Sequence, residues 1–177
     1  MKTQIIPIPT NFGACHLLWK QGEVQAFFLP FSSTKKGLQQ IKKKYPEAEL
    51  VVKIPKEVRA SADSIQDYFK GRTSNLKSIP IKTPSEAPFF KKVYQVLRNT
   101  KPGEVLSYGE LAQRAGSPKA SRAVGQAMAN NPLPLLIPCH RVIGSTGKLH
   151  GFSADGGLST KQRLLSLEGA KPTSRKG

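Results

Sequence analysis

The first third of the chain carries three short apolar runs, Gln4–Pro9, Ala14–Trp19 and Val24–Leu29, and Gln21-Gly22-Glu23 supplies a turn between the last two. These read as strands. Ser33 or Thr34 then caps a basic helix over about 34–45, in which Leu38, Ile41 and Tyr45 recur on one face. Leu50–Ile54 reads as a short strand, and Ser61–Phe69 as a helix with Ile65, Tyr68 and Phe69 on one side. The stretch Gly71–Ser85, rich in Lys, Pro, Ser and Thr and holding one weak strand (Ile79–Ile81), reads as a linker.

From there the periodicity lengthens and helices dominate. Phe89, Phe90, Val93, Val96 and Leu97 form an apolar stripe that Lys101-Pro102-Gly103 stops. Ser107 opens the short helix SYGELAQRAG, and Ser117-Pro118 opens a second that runs to Pro132. Two short helices around a glycine turn make a helix-turn-helix pattern. After Leu135–Ile143 come a Gly144–Gly147 turn and a last helix over about 159–168. Strands first and helices after suggest an α+β chain with a domain over 1–85, a second over 86–170 and a basic tail, 171–177.

Charge narrows the partner. The 177 residues hold 28 Lys and Arg against 11 Asp and Glu, a net +17. The excess is shared, with 14 basic against 6 acidic residues over 1–85 and 14 against 5 over 86–177. It therefore belongs to folded surface and points to a polyanion, most simply nucleic acid. No apolar run approaches the roughly 18 residues of a membrane span, and the N-terminus MKTQIIPIPT has too short an apolar segment for a secretion signal. Cys15 and Cys139 allow neither a disulfide framework nor a thiolate zinc site, and fit a reducing compartment. Cys15 and His16 read as ordinary strand residues, and His150 as a turn or surface histidine.

Two features carry candidate chemistry. The second helix of the pair is built from small residues (Ala120, Ser121, Ala123, Gly125, Ala127, Ala129) around one long cation, Arg122. Such a helix can bring its backbone close to DNA in the minor groove and send one Arg into the base stack. Close helix–helix packing is the other explanation. The second feature is Ile137-Pro138-Cys139-His140-Arg141-Val142-Ile143. A thiol beside an imidazole and a guanidinium sits in a positive field that favours thiolate. On an extended chain, however, His140 would point away from Cys139 and need a turn or a bridging water to act as its base. A buried structural cysteine beside a surface histidine is the competing reading.

The segment Ile137–Ile143, with Asn131-Pro132-Leu133-Pro134 before it, resembles the active-site signature of the O6-alkylguanine-DNA alkyltransferases. The Ser107–Gly109 and Ser121–Met128 segments and the closing GGLSTKQRLLSLEG match the same family in the same order. The resemblance is strong over about 86–169 and loose before, where Asp67–Arg72 fits best. It implies a small N-terminal α/β domain with a short antiparallel sheet, then a mainly helical, winged-helix-like domain. It also implies irreversible, single-turnover transfer of an alkyl group from O6-alkylguanine in duplex DNA to Cys139. His140 would then take the thiol proton through a water, and Glu168 would orient the imidazole. Tyr108 would serve guanine N3, and Asn131 would order the turn. Arg122 would fill the gap left by the flipped nucleotide. Ser117, Gly125 and Ser145, with Tyr108 and Arg122, would contact DNA. Met128, Pro134, Phe152 and Ser153 would line the pocket.

Two departures stand out: Phe152 where the family commonly has Tyr, and a longer loop over 153–157. The resemblance implies no cofactor and a monomer acting on alkylated double-stranded DNA. Cys15 and His16, the only Cys and His before residue 139, are too few for a structural metal site, and the two free thiols fit a cytoplasmic location (nuclear in a eukaryote). The competing functions are a non-catalytic helix-turn-helix or damage-recognition protein, and a cysteine hydrolase using Cys139 and His140. For the latter, no oxyanion-hole motif is found in the sequence.

Overall fold

In the computed structural model, residues 2–170 are described; the expected basic tail lies outside them. The chain divides into two units, one ending at Lys82 and one beginning at Thr83. That boundary precedes the expected one by three residues: Thr83–Ser85, the end of the proposed linker, join the second unit, while the stretch through Lys82 is tied to the first. The Val24 amide donates to Pro80 O (2.9 Å), the Lys82 amide to Val24 O (3.0 Å), and Ile79 is buried.

The first unit is a four-stranded sheet in the order β3-β2-β1-β4, made of β1 (Gln4–Thr10), β2 (Gly13–Lys20), β3 (Glu23–Phe28) and β4 (Glu49–Leu50). The first three are antiparallel neighbours, and β4 lies parallel to β1. Gln21 and Gly22, with φ of 52° and 84°, make the primed two-residue turn that matches strand twist. Consecutive Ile5 and Ile6 are both fully buried, so both faces of β1 are covered. On one face Ile5, Leu18 and Ala26 pack with Ile41 of α1 (Thr34–Lys44). Helix α2 (Arg59–Phe69) also packs on β1, and its Phe69 ring meets Phe12 at 5.1 Å. The strand expected over Leu50–Ile54 shrinks to two residues, since pairing ends where the Val51 amide reaches Ile5 O.

The second unit is helical: α3 (Pro88–Arg98), α4 (Tyr108–Arg114), α5 (Ser121–Ala129) and α6 (Gly157–Leu167). A two-stranded parallel pair, β5 (Leu106–Ser107) and β6 (Val142–Ile143), completes it. Val93, Tyr94 and Leu97 form the buried stripe of α3, and the Tyr94 hydroxyl donates to Ala127 O of α5 (2.8 Å). Helix α4 begins with a capping box between Ser107 and Glu110. Helix α5 starts three residues later than the Ser117-Pro118 signal suggests, at Ser121 rather than Pro118. The Ser117 amide closes α4 by bonding to Ala112 O, Gly116 turns at φ 87°, and residues 117–120 form a turn.

Candidate active site

The connection from α5 to β6 is shaped by one side chain. Buried Asn131 donates from Nδ2 to Ile137 O (2.9 Å) and accepts at Oδ1 from the Leu133 amide (3.0 Å). This clamp holds Leu135 at φ 74°, a conformation a branched apolar residue avoids unless its surroundings impose it. The chain does not continue extended. Cys139–Arg141 form one 3₁₀ turn, and β6 follows directly. That corrects the premise that Cys139 and His140 sit on opposite sides of a strand.

Beneath the turn lies a buried charge array. Glu168, just past α6, accepts from His140 Nε2 at 2.7 Å and from Arg141 Nε and Nη2, both at 2.9 Å. The Gly103 amide adds a bond at 3.1 Å. Arg141 Nη1 donates to the carbonyl and hydroxyl oxygens of Thr100, at 2.7 and 2.9 Å. A two-pronged guanidinium–carboxylate pair with further donors is the geometry that makes a buried ion pair tolerable. Gly103 (φ 83°) is needed here, since a side chain would press on the Glu168 backbone carbonyl at 3.0 Å.

Protonation states follow from these contacts. Burial alone would raise the Glu168 pKa, but hydrogen bonds from His140 and Arg141 outweigh it and hold the carboxyl well below its ordinary range. Ionised Glu168 can only accept, so Nε2 of His140 carries the hydrogen. Nδ1 is left with its lone pair and has no hydrogen-bond partner among the described residues. Burial lowers the His140 pKa, partly offset by Glu168, so the ring is neutral at rest.

The thiol departs from expectation. Burial raises the Cys139 pKa, and only Asn131, Lys161 and neighbouring backbone amides pull it down. Cys139 therefore rests as a thiol rather than as a thiolate held by adjacent charges. Arg141, expected to help, is spent on Glu168 and Thr100. The cation that does act on the sulfur is Lys161 of α6, which sequence reading missed. Its ammonium is buried and donates to Val142 O (2.6 Å) and His150 O (2.8 Å), and burial lowers its pKa to about 8. A signal was present, since Lys161 stands one turn before Leu164 and Leu165 on the apolar stripe.

Cys139 opens onto a cavity of about 280 Å³ lined by Tyr108, Gly125, Met128, Ala129, Gly151, Phe152 and Ser153. Pro134 is not among the lining residues, because the Asn131 clamp holds it in the preceding turn, bridged to Ile137. Gly125, expected at DNA, is half-buried and forms part of this wall. Burial raises the Tyr108 pKa, keeping the phenol a donor. Arg122 is exposed near the start of α5, Ser117 is half-buried between the helices, and Ser145 is exposed in the turn before Lys148.

Residues 88–170 match the family model described as the DNA-binding domain of 6-O-methylguanine DNA methyltransferase. The chain is 44% identical over 113 residues to a methylated-DNA–protein-cysteine methyltransferase of Methanosarcina acetivorans, covering 63% of this chain and 69% of that one. A Shigella flexneri protein of the same name is 41% identical over 108 residues, 61% of each chain. The crystal structure of a Mycobacterium tuberculosis O6-methylguanine methyltransferase superposes with a TM-score of 0.75 at 28% identity, over 94% of this chain and 92% of that one. A Mycobacterium tuberculosis OGT solved in complex with DNA gives 0.74 at 28% identity, over 93% and 92%. The α+β order and the helical second unit with its winged-helix-like pair of strands are thus those of known proteins. With an Asn-clamped turn, a cysteine at a cavity wall and an imidazole on a buried carboxylate, this chain belongs to the methylated-DNA–protein-cysteine methyltransferase family.

Proposed function

We propose that this protein repairs DNA by moving an alkyl group from O6-alkylguanine in duplex DNA to the Cys139 sulfur, once per molecule. The observation that carries the reading is Cys139 at the cavity wall beside a neutral histidine whose Nδ1 has no hydrogen-bond partner among the described residues. A thiol raised by burial needs a base. His140 Nδ1, reached through a bridging water, takes the proton, and ionised Glu168 stabilises the resulting imidazolium. The thiolate then attacks the alkyl carbon in line. A carbon–sulfur bond forms, and the carbon–oxygen bond breaks with its electrons moving onto guanine. Tyr108 offers its phenolic proton to guanine N3 as that charge develops.

Asn131 holds the turn and lowers the cost of the thiolate. Met128, Phe152 and Ser153 bound the space for the alkyl group, and Phe152 in place of the family's common Tyr leaves that wall apolar. Arg122 takes the place of the extruded nucleotide, because the reacting carbon is out of reach inside a duplex. Ser117 and Ser145 contact flanking phosphates. The sulfur is the terminal acceptor, so no cofactor is called for. We take the protein to act as a cytoplasmic monomer; no helix among the described residues is long and apolar enough to cross a membrane.

Duplex DNA carrying isotope-labelled O6-methylguanine provides the test. Label should move to Cys139 and saturate near one equivalent. Turnover beyond one equivalent would favour a hydrolase. Tight binding to damaged DNA without labelling would favour a damage-recognition protein.

A further inference from the structure

We propose that the outer face of α1 is a second DNA contact, binding the phosphate backbone without regard to sequence and lying in the first unit, outside the helix-turn-helix. Duplex DNA is taken as the polyanion on the strength of the repair reading above. Helix α1 contains Lys35, Lys36, Lys42, Lys43 and Lys44 and no acidic residue. Its inner side is fixed: Gly37 and Ile41 are buried, and Leu38 packs on the sheet cluster. Gly37 lies so close to the Phe31 ring that a methyl group there would overlap it. The Ser33 hydroxyl caps the first turn. The helix is held rigidly, with one side left to solvent.

That exposed side has a regular pattern. Lys42 bonds back to Ala48 O, leaving Lys35, Lys36, Lys43 and Lys44, none of them paired with a carboxylate among the described residues. Gln39 and Gln40, also exposed, stand four residues after the first lysine pair and four before the second. Those are the positions where Glu would neutralise both pairs at helical spacing. Folding stability gains only at the C-terminal pair, where Lys43 and Lys44 suit the negative end of the helix dipole. Like charges repel along the face, and Lys35 and Lys36 oppose the positive end of the helix dipole. A polyanion reverses both penalties. Eight residues span about 12 Å of helix axis, a length over which duplex DNA carries roughly seven phosphates.

A lipid surface fits less well. An interfacial helix turns an apolar face to the membrane, whereas the apolar stripe of α1 is covered by the sheet and Thr34 and the Lys and Gln side chains remain outside.

The test uses the full chain with Lys35, Lys36, Lys43 and Lys44 all changed to Gln, and undamaged duplex DNA titrated between 50 and 200 mM salt. Each lost phosphate contact removes about 0.9 from the slope of log affinity against log salt, so a fall of about two to four is expected. Reaction with free O6-benzylguanine should be unchanged, and the four-fold Lys→Arg variant should bind as the parent does. Unchanged affinity and slope in a variant with a parental circular dichroism spectrum would overturn the proposal. So would loss of binding to phosphatidylserine vesicles with DNA binding intact. If the parent never accepts label from O6-methylguanine, the repair reading falls while the salt dependence still reports on α1.

Discussion

The chain contains the dipeptide Cys-His twice, and the two copies have little else in common. Cys15 and His16 lie in the middle of β2, paired with Ile8 and Pro7 of β1. Both are buried, and their side chains take opposite sides of the strand. Burial pushes the Cys15 thiol far up, with only Thr10 opposing it, and lowers His16 with no charged group offsetting it. Cys139 and His140 are buried too, but a 3₁₀ turn puts the sulfur at a cavity wall and the ring on Glu168. Burial alone silences such a pair. A carboxylate, a nearby ammonium and a non-extended backbone make it usable.

The largest expected contrast comes from removing each sulfur. Cys139→Ser should abolish alkyl transfer, whereas Cys15→Ser should leave the rate within about twofold, since a buried strand thiol has no access to substrate. Equal losses would erase the distinction, and peptide mapping of the labelled protein locates the acceptor directly.

Glu168→Gln should make the second pair resemble the first. The amide cannot stabilise an imidazolium, so the single-turnover rate should fall by about 10²–10⁴. Removing one partner of the buried Arg141 pair should also cost about 3–5 kcal/mol, visible as a lower Cm in urea. Retained speed would show that His140 works without its carboxylate.

Lys161→Met should have a smaller effect, about tenfold in rate. Lys161 titrates near pH 8, and above that the sulfur loses a favourable charge. The parent rate should therefore carry an alkaline component near pH 8 that the variant lacks. In acid, the His140 pKa is depressed, so the parent rate should hold through pH 6.5 and fall only below it. A fall centred above pH 6.5 would contradict a neutral buried base.

The smallest effect concerns His16. Its folded pKa lies below 6.5, so the unfolded chain takes up the proton first as pH drops. Stability is complete above about pH 6.5 and declines as pH falls from there toward the folded value. His16→Phe should flatten that part of the urea-stability profile without altering alkyl transfer.

Much of this was readable from residue order. The apolar runs placed β1, β2 and β3 within a residue or two, because strand burial is a local pattern. The order of SYG, SRAVGQAM, PCHRVI and the closing helix pointed to the site. Less accessible were features set by residues far apart in the chain. Thr100, Gly103, Arg141 and Glu168 meet across 68 positions, and no periodicity announces that an arginine beside the cysteine will serve the carboxylate instead. The start of α5 was misread because Ser117 looks like a cap but spends its amide closing α4.

Sequence by itself determined which elements form, how charge is spread along the chain and which side chains are chemically able to act, since these depend on neighbours a few residues away. Tertiary structure decided which of two Cys-His pairs meets a carboxylate, whether the thiol rests protonated, and which lysine is buried beside it. Proton affinities depend on desolvation and on charges within a few ångströms, and only folding brings those together.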